Sequence, residues 1–128
     1  MLELLRWVHL VAAAVWLGGL VVLAASVMAL RRAGAPREHL QAVARQFGRV
    51  SWTAMLLAVL TGLGQIQLLG LSWSYPRLQT KVALVAAVIA VAFAHTLTAK
   101  RTPPAVRGIV ESTILLLSFA IYWAAVRL

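Results

Sequence analysis

The chain has no cysteine among its 128 residues, which excludes disulfides, thiolate metal sites and thiol catalysis and leaves the redox compartment open. Charge is scarce as well. Only 12% of residues are charged, against 62% hydrophobic, and a stretch this apolar and this short is not a soluble domain. The composition is that of an integral membrane protein. A helical span takes about 20 apolar residues, and four such stretches stand out, at about 4–30, 50–71, 78–99 and 109–126. Outside them almost nothing is left for a soluble domain, so function is expected within the spans or at their edges. The expected fold is all-α, a single integral membrane four-helix bundle over residues 1–128 with up-down-up-down topology.

The first span carries Ala24-Ala25-Ser26-Val27-Met28-Ala29, which has the look of a signal cleavage region. Its apolar run is longer than the roughly 7 to 15 residues of a signal core, so it is read as a retained anchor.

A net charge of +9 could suit nucleic acid, but its distribution points to topology instead. Arg31, Arg32, Arg37, Arg45 and Arg49 precede span two, and Lys100, Arg101 and Arg107 lie between spans three and four. The other side holds Arg6, Arg77, Lys81 and Arg127. By the positive-inside rule the first and third loops are cytoplasmic and both termini outside, as expected in a bacterial plasma (inner) membrane. The expected partner is therefore the lipid bilayer, whose anionic headgroups the basic loops attract, and not a nucleic acid.

Within the first span, His9, Ala12, Ala13, Trp16, Gly19 and Leu20 recur at helical spacing and share one face, with Arg6 one turn earlier. An ionisable residue at membrane depth marks a site. This face offers an imidazole, an anion partner, and small residues beside a large aromatic, a wall suited to a flat cofactor. A histidine hydrogen-bonded to a neighbouring helix is the competing reading of His9.

In the first loop, Gly34 and Pro36 break the helix, and residues 36–47 read as a short amphipathic helix with Leu40, Val43 and Phe47 as its apolar stripe. His39 falls on its solvated side. Span two carries Met55, Thr61, Gly62, Gly64, Gln65 and Gln67 toward its outer end. The amides can bind a ligand or join helices, and the glycines permit close approach. Trp73 and Tyr75 mark the outer interface. Span three opens with Gln79, Thr80 and Lys81, and its Ala83, Ala86, Ala87, Ala90 and Ala94 are expected to form a packing seam. Span four follows Pro103 and Pro104, places Glu111 one turn inside, and continues through Ser118 and Tyr122 to Trp123 and Arg127.

Depth sorts the polar residues into two clusters. The outer one is Arg6, His9, Gln65, Gln67, Lys81 and Tyr122, where His9 is an axial ligand or proton carrier and Arg6 and Lys81 hold carboxylates such as haem propionates. The inner one is His95 and Glu111, with Met28, Met55, Ser51 and Trp52 at the same level. His95 and Glu111 are read first as a polar pair, with a proton relay or a ligand site of His95 with Met55 or Met28 as the alternatives. His9 and His95 lie roughly 15 to 20 Å apart along the membrane normal. They cannot ligate one metal within one subunit.

His9, then Trp16-Leu17-Gly18-Gly19, an arginine-rich first loop, Thr61-Gly62, and Lys81 opening span three together resemble the membrane domain of the copper resistance protein D group. The same pattern is similar to the J-type haem-containing protoporphyrinogen oxidase group. The first resemblance implies copper movement across the membrane with His9 as a ligand. The second implies a b-type haem on His9 and a functional Lys81. Copper favours soft ligands, and this chain offers three methionines and no cysteine. The expected function is a membrane haem b protein in electron transfer or porphyrin oxidation, with His9 as axial ligand and Arg6, Trp16, Lys81, Gln65 and Tyr122 about the cofactor. Copper transport and a non-catalytic structural subunit are the alternatives, and whether the protein is an enzyme is left open. A quinone or redox protein is the partner class a haem protein calls for, and a homodimer is left open.

Overall fold

The computed structural model describes residues 1–98, 101 and 104–127, with the side chains of residues 104 and 105 excepted. Ala99, Lys100 and Pro103, which figured in the sequence reading, lie outside the described residues. Among the described residues there are four helices: α1 (Leu2–Arg32), α2 (Arg37–Leu69), α3 (Pro76–Thr98) and α4 (Pro104–Arg127). All four are long and apolar enough to cross a membrane, and large apolar side chains such as Leu10, Leu60, Phe93 and Leu116 are exposed along them. That combination belongs to helices whose outer solvent is lipid. The all-α class and the membrane setting stand as expected.

The chain divides into two compact units, Met1–Leu71 and Ser72–Leu128, each a helical hairpin. In the first, α1 closes where Gly34 takes a positive φ of 75°, with the Ala35 N–H reaching the Leu30 carbonyl and the Gly34 N–H reaching that of Arg31. The left-handed residue with these two bonds is a Schellman stop. Pro36 then starts α2 from an extended conformation. Residue pairs across the hairpin run in opposite directions: Leu5 lies against Gly64, His9 against Gly62, Gly19 against Phe47 and Trp16 against Trp52. The helices are therefore antiparallel, with Ala12, Trp16, Ala54, Met55 and Thr61 buried between them. The end of α2 repeats the stop at Gly70, φ 63°, whose N–H and that of Leu71 return to the carbonyls of Gln67 and Ile66.

The amphipathic segment expected as a separate short helix is instead the opening of α2. Leu40, Val43 and Phe47 are half-buried and His39 is exposed, as the stripe implies, but no break follows. Gly48 is the one weak helix former between Phe47 and the apolar run, and a single glycine costs a helix only about 1 kcal/mol. Without a proline the helix continues.

In the second hairpin, Pro76 occupies the first position of α3, where its missing N–H costs nothing. Leu78, Val88 and Ala92 of α3 and Ile114 and Ser118 of α4 are buried. Val88 is fully enclosed, at 0% exposure. The expected alanine seam is not this interface: Ala83, Ala86, Ala87, Ala90 and Ala94 are all exposed. Their spacing is right for packing, but in lipid no hydrophobic force selects a face, and fit against the partner helix decides.

Candidate functional site

His9 sits in the second turn of α1, half-buried against α2. Its Nδ1 lies 2.8 Å from the Ala58 carbonyl oxygen and 3.1 Å from Thr61 Oγ1. A carbonyl oxygen only accepts, so Nδ1 carries the proton and donates. Thr61, buried itself, gives its own proton to the Leu57 carbonyl at 2.6 Å, which leaves its oxygen able to accept from the imidazole. The ring edge rests on Gly62, where an added Cβ would lie 3.2 Å from His9 Cε1. A side chain at this position would press on the ring, which would have to give by a few tenths of an ångström. Two residues on, a Cβ on Gly64 would stand likewise to Leu5, at 3.2 Å from Leu5 Cδ1.

Gln65, one turn past Thr61 and half-buried, donates from Nε2 to the Thr61 carbonyl at 3.4 Å. Gln67 is exposed. Arg6 is exposed as well, so it does not share the inward face of His9. The face is centred on Leu5, His9, Ala12 and Trp16, and Arg6 lies beyond its edge, where a long cationic side chain can reach toward water. Two turns from His9, Trp16 meets Trp52 edge to face, with ring centroids 6.1 Å apart, a favoured geometry for aromatic pairs. Met55 is buried beside them on α2, whereas Met28 is exposed.

No family model matches this chain, and no curated protein or solved structure matches it. The chemistry of the site therefore rests on its own geometry. An imidazole whose Nδ1–H is tied to a backbone carbonyl is held in one tautomer, as metal-ligating histidines commonly are. Among the described residues no group of three or more His, Cys, Asp or Glu is placed to hold a metal ion. A single axial ligand to a porphyrin needs no such group.

In the second hairpin, His95 Nε2 lies 3.5 Å from Glu111 Oε1, so the structure brings these two residues together. The pair is open on one side, with the His95 side chain 19% and the Glu111 side chain 63% exposed. Lys81 is half-buried near the start of α3, and Tyr122 half-buried toward the end of α4. Arg77 donates to the Arg127 carbonyl at 2.7 Å, and the Arg127 guanidinium lies 5.9 Å from the centre of the Trp123 ring. These contacts join the start of α3 to the end of α4.

Sequence reasoning singled out His9, Thr61 and Gly62 separately. It did not join them, because the hydrogen-bond acceptor is the backbone oxygen of Ala58, a residue whose side chain carries no signal. The helix register supplies the missing link, since it sets the second turn of α1 against residues 58–62 of α2.

Proposed function

We propose that this is a membrane haem b protein acting in electron transfer or porphyrin oxidation, with His9 Nε2 as the axial ligand. The observation that carries this reading is the Nδ1–H contact to the Ala58 carbonyl, 2.8 Å long, seconded by Thr61. It orients the ring and raises the donor strength of the opposite nitrogen. Trp16 and Gln65 belong to the same hairpin. Arg6, exposed beside the His9 face of α1, is the propionate partner. When bound, haem supplies one-electron chemistry at a potential set by the axial ligand, hydrogen bonding and burial. The protein's share is to hold the imidazole in one tautomer and to keep water from it.

Copper transport, the alternative the sequence resemblance raised, gains less from the geometry. Met55 is buried and Met28 exposed, and no cluster of three metal-ligating side chains accompanies them among the described residues. A structural subunit without cofactor is favoured by one observation: the bonds of His9 to Ala58 and Thr61 already give the imidazole a role in joining α1 to α2. In the proposed setting the protein lies in a bacterial plasma membrane with both hairpin loops cytoplasmic. Arg31, Arg32 and Arg37 in the first loop and Arg101 in the second support that orientation, being exposed there.

The test is the visible absorption spectrum of the detergent-purified protein, oxidised and dithionite-reduced, with iron and copper analysis. A reduced b-type spectrum that is present in wild type and His95→Ala and lost in His9→Ala is expected. Absence of a Soret band after reconstitution with haem would overturn the reading. Copper in a colourless protein would then favour transport, and a metal-free protein the structural subunit.

A further inference from the structure

The two helices of the first hairpin are out of step in polarity. The contacts that set their register, from Leu5 with Gly64 to Gly19 with Phe47, place Arg49 level with about Gly19 and Arg45 level with about Leu23. At that level, and for about 10 Å beyond it toward the loop, α1 is still apolar, with Ser26 as the one polar side chain between Ala24 and Leu30. Val21, Val22, Ala25 and Met28 are exposed there. If the apolar end of α1 lies in hydrocarbon, the two arginines of α2 lie beneath the headgroups.

Arg45 and Arg49 are both exposed and stand one helical turn apart, where like charges repel. Within their own hairpin no carboxylate relieves them: Glu3 is at the far end of α1, and Glu38 is about 10 Å up the helix from Arg45. The same face of α2 then continues through Thr53, whose hydroxyl is turned back to the Arg49 carbonyl at 2.8 Å, to Leu56 and Leu60, both exposed. One face therefore passes from two guanidiniums to bare aliphatic surface as it enters the membrane.

We propose that Arg45 and Arg49 bind the phosphate of an anionic phospholipid, with its acyl chains lying along Leu56 and Leu60. The guanidinium fork matches phosphate oxygens bidentately, and an arginine level with an apolar neighbour obtains its counter-charge from a lipid drawn to it rather than from bulk solution. Neither His9 nor a cofactor enters this proposal.

Native mass spectrometry of the purified protein with mixed phosphatidylglycerol and phosphatidylcholine tests it. Wild type is expected to retain phosphatidylglycerol selectively, and R45Q/R49Q to lose that selectivity by about tenfold or more. R31Q/R32Q removes the same charge at the loop and is expected to keep it. R45K/R49K, which keeps charge but not the fork, is expected to fall between. Equal loss in R31Q/R32Q and R45Q/R49Q would overturn the proposal in favour of diffuse attraction. So would stripping of the lipid from wild type by millimolar glycerol phosphate, which would reduce the site to one for free anions. That competition arm needs no variant, so it decides the matter even if R45Q/R49Q does not fold.

Discussion

Near the open end of the α1–α2 hairpin, early in α1, the contact between helices is a hydrogen-bonded imidazole resting on a glycine. In the middle of the α3–α4 hairpin Val88, Ile114 and Ser118 are instead buried, and the polar contacts described there, His95 with Glu111 and Arg77 with the Arg127 carbonyl, lie toward its two ends. The two hairpins are similar in composition and differ in what sets their register. Aliphatic packing in lipid tolerates sliding, because a displaced helix meets other methyl groups and lipid is as apolar as leucine. A directional bond from Nδ1 to one carbonyl does not tolerate it. Among the contacts that set the register of the first hairpin, the imidazole bond is the directional one, and it is made by the residue proposed above as axial ligand.

The largest way to break this contrast is to fill the glycine. A Cβ at position 62 would already lie 3.2 Å from His9 Cε1, tighter than ordinary contact, and a β-branched residue adds atoms that cannot turn away. Gly62→Ile is expected to destabilise the first hairpin by about 3 kcal/mol, at the upper end of overpacking costs. It should also abolish any spectrum that depends on His9. Thermal unfolding in detergent, followed by circular dichroism and by proteolysis near the 33–36 loop, reads the effect. Unchanged stability would mean that the ring does not rest on Gly62.

A finer probe asks whether Thr61 acts through His9. In a double-mutant cycle of His9→Leu and Thr61→Val, the coupling energy is expected to be about 0.6 to 1.5 kcal/mol, the range of polar contacts between membrane helices. The bond from Thr61 to the Leu57 carbonyl stays within α2 and contributes to no coupling, which isolates the imidazole contact. Additive single effects would show that the Ala58 carbonyl alone holds the ring.

How much of this was legible beforehand depended on the kind of signal. The four spans, the inward face of α1 from His9 through Trp16, and the pairing of His95 with Glu111 all follow from periodicity and depth, which a sequence displays directly. The continuity of α2 was hidden because Gly34, Pro36 and the charges around Arg45 and Arg49 imitate a loop with a surface helix, whereas only the first two break the backbone. The place of the alanines was hidden for the opposite reason. Ala83 to Ala94 satisfy a packing pattern, but the pattern does not say which helix answers it, and within its hairpin α3 packs through Leu78, Val88 and Ala92 instead. Arg6 was misplaced by one step around the helix, which a count of spacings cannot resolve at the edge of a face. The partner of His9 could not be read at all, since a backbone oxygen is the same at every residue.

The smallest expected effect sharpens the comparison from the other hairpin. His95 and Glu111 are 3.5 Å apart, longer than a good charge-assisted hydrogen bond. The acid is 63% exposed and so is not enclosed with the imidazole. An ion pair of that kind contributes about 0.5 kcal/mol or less. Glu111→Gln, which keeps the shape and one acceptor, is therefore expected to leave thermal unfolding nearly unchanged, in contrast to the His9→Leu arm of the cycle above. If Glu111→Gln proves as costly as His9→Leu, the second hairpin too has its register pinned by a polar contact, and the contrast between the hairpins fails. If it is neutral, the His95–Glu111 pair does not set the register of α3 on α4, and the contrast with the His9 contact stands.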